Sequence, residues 1–173
     1  MNLKERIREV SDFPKAGISF KDITTLFKDS DSLKYTTDVI VDNFKGENIT
    51  KVLGIEARGF MLGGAIACGL NAGFIPVRKV GKLPAETISE TYELEYGVDS
   101  IEMHADALNE DDVILIHDDL LATGGTAFAT LNLVKRAGVK NIYFSFICDL
   151  EFIKTEIKEK IKEHNTQVLV KYS

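Results

Sequence analysis

Val113-Ile114-Leu115-Ile116-His117-Asp118-Asp119-Leu120-Leu121-Ala122-Thr123-Gly124-Gly125-Thr126-Ala127 is the stretch from which the chain is best read. The run Val113 to Ile116 is short, apolar and rich in β-branched residues. That suits a strand covered on both faces, and such strands present ligands at their carboxyl ends. Asp118 and Asp119 stand at that end. Beyond Ala122, from Thr123 to Thr126, the backbone can curl freely at Gly124 and Gly125, so several N–H groups can face one anion with no Cβ in the way. The hydroxyls of Thr123 and Thr126 can add bonds, and a helix predicted from Ala127 to Ala137, stopped by Gly138, aims its positive dipole end at the same point. A terminal phosphate fits the turn, while the two carboxylates suit vicinal sugar hydroxyls or the water shell of a divalent cation. A ribose 5-phosphate meets both needs. Either half alone could be a solvated loop or a plain helix entry, but here both stand at the tip of one buried strand. No Lys follows the glycines, so the nucleoside-triphosphate loop Gly-x-x-x-x-Gly-Lys-Ser/Thr does not fit.

The chain has 173 residues, 45% of them apolar and 28% charged, enough for one domain (residues 1–173) with a proper core. No apolar stretch reaches membrane-spanning length, and Met1 to Val10 is a charged amphipathic segment rather than a signal peptide. A cytoplasmic location and no membrane partner are expected. Cys68 and Cys148 lie in apolar segments without metal-ligand spacing, and read as small buried residues of a reducing compartment. With 21 basic against 27 acidic residues the net charge is −6, which disfavours nucleic acid as a partner. An anionic ligand then needs local positive charge. Arg78, Lys79 and Lys82, with Arg58 brought near by the fold, can supply it, although such a cluster alone reads equally as a solvated loop.

Strand-then-helix units recur. Val52 to Ile55 leads into a small-residue helix from about Gly59 to Leu70; Phe74 to Lys79 is a second strand, Val113 to Ile116 a third, and Asn141 to Ile147 a fourth. The expected class is α/β, a central, mostly parallel twisted sheet with flanking helices. Right-handed crossovers bring the loops after Ile55, Lys79 and Ile116 to one edge. Ser89 to Tyr96 and Ser100 to His104 read as strands around Gly97, a hairpin arm able to act as a flexible lid. An N-terminal cap is expected from a helix over Leu3 to Val10, a loop over Phe13 to Thr24 and a helix over Ser32 to Phe44. Ile153, Ile157 and Ile161 mark an amphipathic helix before an alternating strand, Gln167 to Tyr172.

His117 to Ala127 resembles the phosphoribosyl-diphosphate motif of the type I phosphoribosyltransferases, and its Asp-Asp-Leu-Leu-Ala-Thr-Gly-Gly-Thr form is similar to the adenine-using branch. Phe13 to Thr24, Gly54 to Phe60, Arg78 to Pro84 and Tyr92 to Gly97 resemble further segments of that branch, in order along almost the whole chain. The resemblance implies the type I phosphoribosyltransferase fold, a homodimer, and purine salvage by transfer of the 5-phosphoribosyl group from phosphoribosyl diphosphate to adenine, giving AMP and diphosphate. It implies Mg²⁺ held mainly by the substrate, with no protein metal ligands. Arg58, Arg78, Lys79 and Lys82 would neutralise the leaving diphosphate. Asp118 and Asp119 would hold the ribose hydroxyls and favour a developing oxocarbenium ion, and Ala122 to Thr126 would cradle the 5-phosphate. Glu95, in the setting Leu94 to Gly97, would manage the purine proton, and Ile18, Ser19 and Phe20 would recognise adenine, Phe20 by stacking. Phe20 can also plug the cap against the core. Three positions depart from the pattern. Ala16 and Thr25 stand where prolines are common, which implies a looser cap. His117 replaces an aliphatic residue and reads as a half-buried strand terminus without a role. His104 and His164 are also unassigned. Another purine (hypoxanthine, guanine or xanthine), or a regulator sensing phosphoribosyl diphosphate, are the alternative functions.

Overall fold

The computed structural model describes residues 1–94 and 97–173 of the chain. A 3₁₀ turn, Leu3–Arg6, precedes β1 (Arg8–Ser11), β2 (Ser19–Asp22), α1 (Thr24–Phe27) and α2 (Ser30–Phe44). The alternating region follows: β3 (Lys51–Ile55), α3 (Gly59–Gly69), β4 (Gly73–Lys79), β5 (Thr87–Leu94), β6 (Gly97–His104), β7 (Val113–Leu121), α4 (Gly125–Arg136), β8 (Asn141–Leu150), α5 (Glu156–Lys162) and β9 (Thr166–Tyr172). Seven strands form one sheet in the order β5-β6-β4-β3-β7-β8-β9. From β4 to β9 every neighbour is parallel, and β6 joins antiparallel to β4 and β5. This is the expected mostly parallel α/β sheet.

The two-sided burial of the central strands explains their unbroken apolar runs. Along β7, Ile114 and Ile116 face a core closed by Leu131 and Val134 of α4 and Ile161 of α5, while Leu115 faces a second core built with Ile40 and Phe44 of α2 and Leu62 and Ile66 of α3. β3 divides in the same way, Leu53 and Ile55 to the first core and Val52 to the second. Each such side chain, wholly removed from water, contributes about 1.5–3 kcal/mol before entropy is counted. The chain alternates strand and helix because neither face of the sheet can be left wet.

The amino-terminal cap differs from expectation. In place of a helix over Leu3 to Val10, a single turn capped by Asn2 gives way at Ile7 (φ −96°, ψ 122°) to β1, which pairs with β2 inside the segment expected to be a loop. The reason lies in the charges: the antiparallel register sets Arg8 opposite Asp22 and Glu9 opposite Lys21, and both pairs close as ion pairs, at 2.5 and 2.6 Å. The hairpin arm forms as expected, with Thr87 opposite His104 and Leu94 opposite Gly97. Its base extends the main sheet, Lys79 pairing with Ile101. Its outer strand lies along α4, where Glu90 accepts from Asn132 (3.0 Å) and Arg136 (3.1 Å). Cys148 is buried as expected, but Cys68 is exposed on the outer side of α3.

Candidate functional site

The parallel strands β3, β4 and β7 run toward the same edge of the sheet, and the segments that follow β3 and β4 meet the end of β7. Glu56, the first residue past β3, gathers the basic cluster. Its carboxylate accepts from Arg78 Nε (3.2 Å), the Lys79 backbone N–H (3.0 Å) and Lys82 Nζ (2.5 Å). Burial alone would raise its pKa, but Lys82, Arg78 and the Lys79 N–H outweigh burial and hold it at about 2. The Lys79 ammonium turns to the arm instead, where it engages Asp99 and the Tyr92 hydroxyl (3.1 Å). Arg58 stands on the other side of the site: its Nε lies 3.1 Å from Asp119 Oδ2 and its guanidinium 5.1 Å over the ring of Phe20. Three stretches separated by more than thirty residues are thus joined through Arg58.

Asp118 and Asp119 do not lie beyond the strand, as expected, but within it. β7 continues to Leu121 because β8 runs alongside, Leu120 opposite Cys148 and Leu121 opposite Asp149. Burial first, and then the charge of Asp119, push the Asp118 carboxyl well above the ordinary carboxylate range. Burial raises Asp119 too, against the pull of Arg58. Asp119 Oδ2 is buried and has no aligned hydrogen bond, even though Arg58 is within ion-pair distance. Two such carboxylates resist ionising together, and each is ready to accept from a hydroxyl or from a cation's water.

Past Leu121 the chain turns as the glycines require. Gly124 takes φ +88° and caps α4, which begins at Gly125. Asp118 and residues 120–127 line one cavity of ≈ 70 Å³, so the first acid and the glycine turn share a space. A larger groove of ≈ 470 Å³, lined by Asn43, His164 and Lys171 among others, contains neither acid and no residue of the turn. The arm reaches the turn as well: a Cβ on Gly125 would lie 3.2 Å from the Tyr92 ring. Glu95, the expected proton handler, lies outside the described residues, as does Tyr96.

The loop expected to receive the base sits at the other end of Arg58. Phe20 is half-buried with its ring edge-to-face against Phe13 at 5.2 Å, Ile18 is exposed, and the Ser19 hydroxyl lies between Glu9 and Lys21. Among the described residues no cluster of three or more His, Cys, Asp or Glu side chains could hold a metal ion.

Sequence reasoning did not assign roles to Glu56, Gly59, Tyr92 or Asp99. Gly59 carried a readable signal: as the first residue of α3 it must be small, since a Cβ there would lie 2.8 Å from the His117 carbonyl and 3.2 Å from Asp118 Oδ1. The helix start is thereby brought against the acid. His117 is also corrected. It is wholly buried rather than half-buried, with neither ring nitrogen in hydrogen-bond geometry, and burial, opposed slightly by the Ser145 backbone, brings its pKa down to about 4.

The chain matches the family model of the phosphoribosyl transferase domain over residues 18–168. It is 56% identical over 149 residues to an adenine phosphoribosyltransferase of Bacteroides fragilis, a match covering 86% of this chain and 84% of that protein. The adenine phosphoribosyltransferase structure from Rhodothermus marinus superposes with a TM-score of 0.90 at 46% identity, covering 98% of this chain and 96% of that one. The enzyme from Giardia lamblia, solved with 9-deazaadenine, superposes with a TM-score of 0.91 at 36% identity, covering 98% and 96%. With the shared cavity, the paired acids and the parallel sheet that carries them, these likenesses establish that the chain belongs to the phosphoribosyltransferase family, among its adenine phosphoribosyltransferases.

Proposed function

We propose that the convergence of Asp118, Asp119, the Ala122 to Thr126 turn and Arg58 is the centre at which this chain works as an adenine phosphoribosyltransferase, salvaging the free base. It moves the 5-phosphoribosyl group from phosphoribosyl diphosphate to adenine and releases AMP and diphosphate. The observation that carries the assignment of residues is the single cavity lined by Asp118 and the Thr123–Thr126 turn. The 5-phosphate sits in that turn against Ala122, Thr123, Gly124, Gly125 and Thr126, facing backbone N–H groups and the start of α4. Asp118 and Asp119 accept from the ribose hydroxyls, and their negative charge favours the oxocarbenium-like ring that forms as the C1–O bond to diphosphate breaks.

Arg58, Arg78, Lys79 and Lys82 serve the departing diphosphate, the cluster around Glu56 holding two of these cations in place beforehand. The two buried acids suit the water shell of Mg²⁺, which when bound with the substrate supplies further neutralising charge on the diphosphate. Ile18, Ser19 and Phe20 receive the base, Phe20 offering its ring. As N9 of adenine bonds to C1 the base must shed a proton, and Glu95, through N7, is the group for it. The 9-deazaadenine in the Giardia enzyme supports an adenine-shaped base site.

The working form is a homodimer in the cytoplasm, with residues 1–173 as one domain. In support, α3 has no polar side chain from Gly59 to Gly69 yet leaves Met61 49% exposed, an apolar face that suits a second copy. Both cysteines are free, as a reducing compartment favours, and no helix among the described residues is long and apolar enough to cross a membrane. The test is direct. The protein is incubated with phosphoribosyl diphosphate, Mg²⁺ and adenine, hypoxanthine, guanine or xanthine in turn, and nucleotide formation is followed. AMP from adenine is expected; turnover of another purine without adenine would overturn the specificity, and turnover of none would overturn the activity.

A further inference from the structure

Helix α5 rests against the side of the phosphate turn that the cavity does not occupy. A Cβ at Gly124 would lie 3.1 Å from Ile161 Cδ1, 3.2 Å from Ile157 Cγ2 and 3.3 Å from Lys158 Cγ, so the turn and the helix touch with no room between them. No residue of α5 lines the ≈ 70 Å³ cavity. The helix opens on Thr155, whose side chain makes two bonds. It caps the Lys158 N–H at 3.1 Å and donates to the carbonyl of Thr123 at 2.7 Å.

That second bond sets the direction of the turn. A trans peptide points its C=O and its N–H in opposite directions. With the Thr123 carbonyl drawn onto Thr155, the Gly124 N–H points away from that hydroxyl, and Gly124 is one of the residues that line the cavity.

Three residues further along lies an unusual group, Lys158, a lysine 2% exposed. Lys158 Nζ donates to Asp149 Oδ1 at 2.5 Å and to the Leu150 carbonyl at 2.7 Å, and the second oxygen of Asp149 lies 3.1 Å from Lys162 Nζ. Asp149 is itself wholly buried on β8, opposite Leu121, the last residue of β7 before the turn. An apolar side chain would fill the same space with no charge to desolvate. What the ion pair adds is a fixed position of α5 relative to the strand ends from which the turn departs.

We infer that Thr155 and the buried Lys158–Asp149 pair are positioning residues for the phosphate turn: acting through α5, and touching no substrate, they hold the Thr123–Gly125 backbone in its anion-binding conformation before the phosphosugar arrives. The inference rests on the phosphoribosyl reading of the turn. Preorganisation of this kind affects the ligand that uses the turn and spares the one that does not.

Four proteins test it: the full chain, Thr155→Val, Thr155→Ser and Lys158→Met. Calorimetry measures ribose 5-phosphate binding, and steady-state kinetics measures KM for phosphoribosyl diphosphate and for adenine. For Thr155→Val we expect ribose 5-phosphate to bind about fivefold more weakly and KM for phosphoribosyl diphosphate to rise about fivefold, one net hydrogen bond's effect. The adenine KM should stay within about twofold, and Thr155→Ser, which keeps the hydroxyl, should restore both values. Lys158→Met should act in the same direction; if it fails to fold, the Thr155 pair decides alone. Wild-type affinity in Thr155→Val, an equal rise in both KM values, or no rescue by Thr155→Ser would overturn the inference. If the unaltered protein itself does not bind ribose 5-phosphate, the reading of the turn is what has failed.

Discussion

Replacing Asp118 by Asn is expected to make the protein more stable and nearly inactive. Its carboxyl is pushed well above the usual range by burial and by the neighbouring Asp119. A group whose folded pKa is raised favours the native state fully below its unfolded pKa, near 3.9 for Asp, and that advantage is lost as pH rises through the folded value. Across that window each pH unit costs the native state up to about 1.4 kcal/mol. Asn carries no proton to lose. It keeps the Oδ1 acceptor that receives the Asp119 N–H at 2.9 Å. Relative to wild type the variant should therefore gain nothing at pH 4 and progressively more as pH rises toward 7, by at most about 1.4 kcal/mol per pH unit in urea unfolding, each kcal/mol appearing as about 2–4 °C in Tm. Turnover should fall about 100-fold or more, in line with removal of one charge-stabilising group from a transition state. A variant no more stable than wild type at pH 7, or one whose stability difference does not change with pH, would refute the argument that burial and Asp119 strain this carboxylate.

Two further outcomes follow from the same region. His117 is buried with a pKa lowered to about 4, so its contribution to stability is present above its unfolded value near 6.5 and is lost as pH falls toward 4; His117→Val should remove up to about 3 kcal/mol of acid destabilisation, measured as a flatter slope of unfolding free energy between pH 6.5 and 4. Gly124→Ala forces a Cβ into φ +88° against Ile161, Ile157 and Lys158, and should cost about 1–2 kcal/mol from the backbone alone, with weaker ribose 5-phosphate binding by calorimetry; a variant as stable and as avid as wild type would show that the turn is free to rearrange.

The sequence was most legible where one physical requirement dominates. Ile114, Leu115 and Ile116 had to be covered on both faces, and with the alternation of strands and helices this implied a mostly parallel sheet. Gly124 was legible because a left-handed turn leaves few other choices. The amino terminus was not. Leu3 to Val10 has a helical spacing of apolar residues, and what overrides it is the match of Arg8 and Glu9 with Asp22 and Lys21, partners more than ten positions away that local periodicity does not register. The end of β7 was misread for a similar reason, since Asp118 and Asp119 look like loop residues until β8 is laid beside them. Glu56, inside the segment Gly54 to Phe60, shows no local sign of its place, because an acid two residues from Arg58 reads as one more surface charge until the fold sets it among Arg78, Lys79 and Lys82.

That last carboxylate orders the cations around it in a protein whose net charge is −6. With its pKa held at about 2, Glu56 stays ionised at any pH the molecule will meet, so the guanidinium and ammonium moored to it neither wander nor repel one another as acidity changes. The mooring carboxylate is only 11% exposed, whereas the Lys82 ammonium it holds at 2.5 Å is half exposed. The molecule thus keeps its positive charge matched to a nearby carboxylate, so that these partly exposed cations do not form a bare basic face for every passing polyanion.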